Sequence, residues 1–223
     1  MRLATFGLAA FTLAALPLAG QTYKDPSTGV EFPTTLTPPG GTTAHTLTGT
    51  GVRTRTMLKV KVYAFGLYVD AAGAKAALAG WAGKTAAQLQ GDNAFYGKIL
   101  ERGFAMTMRL VMTRDVDGAT MAEAFDGALR PRVQDVAGKG LPGGEAALDQ
   151  FRAFFADEVT NGTELVFSCT PEGRFTTSIA GAQKPDIDSP ALCWALFDVY
   201  LGAKPISGGG KKTVIASFPT LLQ

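Results

Sequence analysis

The sequence predicts one α+β domain, an antiparallel sheet with a helical layer on one side, on three observations. Strand-like alternation is concentrated in segments around 46–69, 104–113 and 164–180, and helix-periodic stretches fill the intervals between them. No internal repeat or low-complexity linker divides that order. A chain of 223 residues, 46% of them apolar, can bury one large core.

Taken in order, residues 1–20 read as a secretory signal. Arg2 is the positive start, Leu3 to Ala15 the apolar run, and Pro17 and Gly20 end it before it could span a bilayer, with cleavage expected after Gly20. Gln21 stands where a lipidated Cys would have to be, so no lipid anchor is expected. The remaining domain, 21–223, is then expected to be periplasmic or secreted, without a stable membrane span. Residues 21–44 are rich in Thr, Pro and Gly and hold one short strand near Val30 to Pro33. Two strands follow, Thr46 to Val52 and Thr56 to Val69. In the second, Val60, Val62 and Ala64 form the buried face, Lys59, Lys61 and Tyr63 the outward one, and Gly66 suggests a bulge or a close backbone approach.

Helices are expected at Ala72 to Trp81 and Ala86 to Glu101. The strand Phe104 to Thr113 sets Met106, Met108, Leu110 and Met112 on one face and Thr107, Arg109, Val111 and Thr113 on the other. Thr120 with Glu123 reads as a capping box opening a helix that Pro131 should kink or divide. A helix from Glu145 to Phe155 precedes the strands Glu164 to Cys169 and Phe175 to Ala180, joined by the turn Pro171-Glu172-Gly173. Ser189-Pro190 opens the last helix and Gly202 closes it.

The composition excludes several functions. Twenty-one Lys and Arg against 19 Asp and Glu leave no basic surplus for nucleic acid, and one His with two Cys cannot complete a structural zinc site. No nucleophile elbow and no phosphate-cradling Gly-x-x-x-x-Gly-Lys-Ser/Thr loop occurs; Gly49-Thr50-Gly51 lacks the downstream glycine of a dinucleotide site. The lone His45, in a Thr-rich stretch, is expected to be exposed and inert. Cys169 and Cys193 have two readings, a disulfide between a strand end and a helix in an oxidising compartment, or two buried thiols. Both stay open. Arg53 and Tyr63 stand out because a short hairpin brings them together across a strand pair. A guanidinium beside a phenol can bind a carboxylate, a phenolate or an enolate oxygen.

Gly51-Val52-Arg53 through Lys61-Val62-Tyr63-Ala64-Phe65-Gly66-Leu67-Tyr68-Val69 resembles the chalcone isomerase family, in particular its bacterial members. Arg114-Asp115-Val116, Gly162-Thr163, Pro171-Glu172-Gly173 and Asp198-Val199-Tyr200-Leu201-Gly202 follow in the family's order, extending the resemblance over about 44–212. It implies an open-faced β-sandwich, a large antiparallel sheet with helices on one side and a ligand cleft between. In the plant enzymes an Arg steers a phenolate onto an unsaturated ketone while Thr, Tyr, Lys and water stabilise the enolate. Carried across, the Arg is Arg53, but the enolate-side Thr becomes Tyr63, the Lys Met112, the Tyr Met121, the Asn Ala128 and the distal Thr Val199.

These exchanges make the cleft apolar. Arg53 with Tyr63 is similar to the carboxylate clamp of the family's fatty-acid-binding branch. The resemblance therefore implies a non-catalytic binder of a fatty acid or similar amphiphilic carboxylate, needing no cofactor. The alternatives are an altered chalcone-isomerase-type lyase using Arg53 and Tyr63, and a haem-binding protein, for which only His45 could serve. Oligomeric state is not specified by these residues.

Overall fold

The computed structural model describes residues 20–55 and 58–223. The signal segment inferred from residues 1–20 thus lies, Gly20 apart, outside the described residues. An eight-stranded antiparallel sheet is the frame. Its strands are β3 (Thr35–Leu36), β4 (His45–Arg55), β5 (Val60–Val69), β6 (Met106–Met112), β7 (Glu164–Cys169), β8 (Arg174–Ile179), β9 (Ala182–Gln183) and β10 (Ile187–Asp188). From β4 to β8 each strand pairs with its predecessor in sequence, and both β9 and β10 pair with β8. A separate hairpin of β1 (Thr22–Lys24) and β2 (Glu31–Pro33) precedes the sheet.

The helices are α1 (Ala71–Ala77), α2 (Ala86–Gln90), α3 (Asn93–Leu100), α4 (Gly118–Ala137), α5 (Gly144–Arg152), α6 (Pro190–Leu201), α7 (Gly208–Ala216) and α8 (Phe218–Leu221). Among the described residues none is long and apolar enough to cross a membrane. Local chemistry explains where they start. Asp70, Asp92, Asp117, Ser189 and Ser207 each accept backbone N–H groups at a helix start, which answers donors that have no intrahelical partner.

Several expectations are corrected. The stretch 86–101 is two helices, because Asp92 caps a new start and its carboxylate also accepts from Trp81 and Lys84. Asp117, not Thr120, caps α4, and it does so by accepting the N–H of Thr120 at 3.0 Å. Pro131 does not divide α4, which runs 20 residues; Leu129 and Val133, buried on either side of it, hold both halves to the core. The second strand begins at Val60; Val60 and Val62 lie on the helical side as expected, but from Tyr63 onward, past a register shift, the faces are the reverse of the expected ones. Tyr63, Phe65, Leu67 and Val69 face the helices, whereas Ala64 and Tyr68 pack on the opposite side with Phe32 of β2 and Val111. From Val62 to Val69 both faces are buried, so alternation of polarity is lost. The β1–β2 hairpin supplies that second cover. Gly66 is the close-approach site, since a Cβ there would lie 2.7 Å from the Phe32 ring. Arg109 reinforces the cover, with its guanidinium over the Phe32 ring, a bond to the Glu31 carbonyl at 3.0 Å and an ion pair with Glu164.

The Gly49-Thr50-Gly51 segment has a packing role. A Cβ on Gly51 would sit 2.6 Å from Cα of Gly210, and one on Gly49 2.8 Å from the Thr213 carbonyl, so the glycines let α7 lie directly on β4. Cys169 at the end of β7 and Cys193 in α6 form a disulfide, with Cα atoms 5.8 Å apart. Of the two readings of that pair, the bonded one holds.

Candidate ligand-binding cavity

β4 and β5 pair so that Arg53 lies directly opposite Tyr63. The register slips between Arg53 and Thr54, and such a bulge re-aims side chains at a strand's end. Helices α4 and α6 lie over this end of the sheet, and between them and the strands is a cavity of about 530 Å³. Its apolar wall comes from helical stripes. On α4, Met121, Phe125, Ala128 and Leu129 follow the spacing that keeps one face together; on α6, Leu196, Val199 and Tyr200 do the same. Arg132 fixes the two helices to each other. Its Nε donates to Asp198 at 2.7 Å, while its other nitrogens donate to the carbonyls of Ala128 and Lys204.

The polar end is small and specific. Tyr63 and Tyr200 are buried with their hydroxyl oxygens 3.1 Å apart. Arg53 donates to the Ile206 carbonyl at 3.4 Å, and its charge acts on both phenols. Burial raises both phenol pKa values, that of Tyr200 well above the ordinary value, with the neighbouring Tyr63 adding to it. Both therefore remain protonated donors at neutral pH. One hydroxyl donates to the other, which leaves one O–H hydrogen for a third group. A cationic fork and a neutral O–H donor at the end of an apolar chamber suit an anionic oxygen pair. Arg55, Arg114, Asp115 and Asp117 surround the same cavity closer to solvent.

Of the six positions read from sequence, Arg53, Tyr63, Met121, Ala128 and Val199 line this cavity. Met112 does not: it is the direct cross-strand neighbour of Tyr63, buried in the core beside the phenol. Tyr200 was missed, although Leu196, Val199 and Tyr200 share the helical spacing that would have placed it beside Val199. Arg55 and Arg114 were missed too.

His45 is elsewhere, on the opposite face of the sheet. It is buried rather than exposed, and its Nδ1 lies 2.9 Å from Thr107 Oγ1. The adjoining cavity, about 230 Å³, is lined by Thr, Ser, Asp and Arg side chains together with Pro38 and Pro39. Haem does not fit there, because a porphyrin needs a broad apolar slot over the ligating ring.

Comparison with known proteins bears on the family and the fold. A family model described as "Chalcone isomerase like" matches residues 43–215. A chalcone–flavanone isomerase of Oryza sativa subsp. japonica is 30% identical over 207 residues, 87% of this chain and 88% of that protein. Fatty-acid-binding protein 2 of Arabidopsis thaliana is 30% identical over 199 residues, which are 85% of this chain and 49% of that longer protein. The crystal structure of an A. thaliana fatty-acid binding protein superposes with a TM-score of 0.78 at 22% identity, covering 91% of this chain and 99% of that one. That last likeness is one of fold.

Proposed function

Because the chain belongs to the chalcone isomerase-like family, we propose that it is a non-catalytic member binding a fatty acid or similar amphiphilic carboxylate in the 530 Å³ cavity. The observation that carries this reading is the Arg53, Tyr63 and Tyr200 cluster at the end of an otherwise apolar chamber. The carboxylate is received by the Arg53 guanidinium and the spare phenol hydrogen, and the acyl chain lies along Met121, Phe125, Leu129, Leu196 and Val199. Ten buried methylenes contribute about 8 kcal/mol at ~0.8 each, against about 1.5–3 kcal/mol for a charge-assisted bond. The tail thus supplies most of the affinity, and the clamp selects the head group. Sequence relatives that carry fatty-acid-binding names support the reading. By the resemblance, four of the plant enzymes' polar positions fall at Met112, Met121, Ala128 and Val199, which leaves Tyr63 as the one replacement able to donate to an enolate. We propose further that the protein works in an oxidising compartment after export, a reading supported by its disulfide.

The test is native mass spectrometry of the purified protein with its lipid identified, followed by titration of Arg53→Ala. Bound long-chain acids, and an affinity reduced about tenfold or more by the substitution, are expected. Unchanged binding by Arg53→Ala would sink the clamp. Stereospecific, Arg53-dependent cyclisation of a hydroxychalcone would replace the binding role with the lyase alternative.

A further inference from the structure

The cavity beside His45 is a second, differently built site. Cross-strand register sets Thr107 of β6, Ser168 of β7 and Thr176 of β8 in one row on the outer face of the sheet. Their hydrogen bonds run in one direction. Ser168 Oγ donates to the Met106 carbonyl at 3.3 Å, which can only accept, and Thr107 Oγ1 donates to Ser168 Oγ at 2.8 Å. With both hydroxyl hydrogens committed, Thr107 Oγ1 can only accept from His45, so Nδ1 carries the ring hydrogen. The nitrogen on the opposite edge of the ring, Nε2, is left as a bare lone pair. Burial lowers the His45 pKa, which keeps the ring neutral at pH 7.

The charge around the cavity points to the class of ligand. The charged groups facing the cavity are Asp70, Arg174 and Asp186. Arg174 lies 3.8 Å from Asp186, so those two offset each other. Asp70 acts on His45 electrostatically and has no ion-pair partner among the described residues; its oxygens accept only the backbone N–H groups of Ala72 and Gly73, each at 3.2 Å. A neutral acceptor nitrogen and an unbalanced carboxylate repel anions and favour a cationic donor. A metal ion is a poorer match, since no cluster of three ligating side chains occurs among the described residues.

We propose that this outer cavity binds a small primary ammonium compound, its N–H groups received by His45 Nε2 and Asp70. The site is independent of the acyl chamber on the other face.

His45 is the single histidine of the chain, so nitrogen-15 NMR reads this site without assignment ambiguity. The free protein is expected to show a protonated Nδ1 and an unprotonated Nε2. Ethanolammonium should then move the Nε2 resonance saturably and lower the apparent pKa of His45, because probe and proton compete for one lone pair. Ethylene glycol and acetate should do neither. Asp70→Asn keeps a capping side chain on α1 and should weaken ethanolammonium about tenfold. An Nε2–H tautomer, no saturable shift, an equal response to ethylene glycol, or unchanged affinity in Asp70→Asn would each overturn the proposal.

Discussion

The two faces of the central sheet are both buried, and they are built from opposite chemistry. Under the helices, β6 presents Met106, Met108, Leu110 and Met112, and β7 presents Leu165 and Phe167. On the other face the same two strands present Thr107, Arg109 and Ser168, bonded to one another's neighbours or to the β1–β2 hairpin. The helical face is held by area removed from water, which is non-directional and leaves room for a cavity with a polar end. The outer face is held by directed bonds, so every hydroxyl and guanidinium needs a partner, and the few without one identify themselves.

The comparison can be broken most severely on the apolar side. Phe151 of α5 contacts the rings of Phe125, Phe154, Phe155, Phe167 and Phe175, so Phe151→Ala should cost about 3–5 kcal/mol in urea unfolding. A loss under 1 kcal/mol would mean that the aromatic cluster is not the centre of the core. The disulfide joins the sheet to the helical layer across a sequence separation of 24 residues. Replacing both Cys169 and Cys193 with Ser should cost roughly 3 kcal/mol, read as a lower denaturation midpoint with a slope equal or slightly steeper, since the unfolded chain is no longer cross-linked.

On the outer face, Gly66→Ala drives a methyl into the Phe32 ring and should cost about 2 kcal/mol by prising the hairpin from the sheet. Faster amide exchange at Phe32 with unchanged exchange in α5 would localise that effect; uniform loosening of both would erase the distinction between faces. The smallest effect is the pH dependence of His45. Its folded pKa lies below the ordinary 6.5, so the unfolded chain binds more protons just below that value. Stability is therefore full above pH 6.5 and falls as pH drops toward the folded value. His45→Gln should flatten that slope between pH 7.5 and 5 in thermal melts, by under about 1 kcal/mol.

Much of the frame was legible because its signals are local. The hairpin that sets Arg53 opposite Tyr63, the turn at Gly173, whose φ of 95° suits glycine, and the Ser189-Pro190 helix start each lie within a few residues of sequence. What failed depends on distant segments. The faces of β5 from Tyr63 onward were inverted because a strand covered on both sides has no polarity contrast to read, and the register shift beside Val62 leaves no mark in the sequence. His45 was expected in solvent because the segment containing Pro38 and Pro39, beside its cavity, carries no sign of where it folds. Helices α7 and α8 passed unread: Gly208-Gly209-Gly210 resembles a loop, and only contact with Gly51 shows why Gly210 belongs in a helix.

The Cys169–Cys193 bridge and the Arg132–Asp198 pair tie α6 at two points, one on each side of Leu196. Tyr200 therefore rides on a wall that is fastened to the sheet below and to α4 beside it. The phenol pair is assembled before any guest arrives, and the ordering entropy of its two rings is met during folding rather than during binding. For the proposed carboxylate this means a head-group end fixed in advance, with any accommodation of the tail's girth left to the Met121, Phe125 and Leu129 stripe.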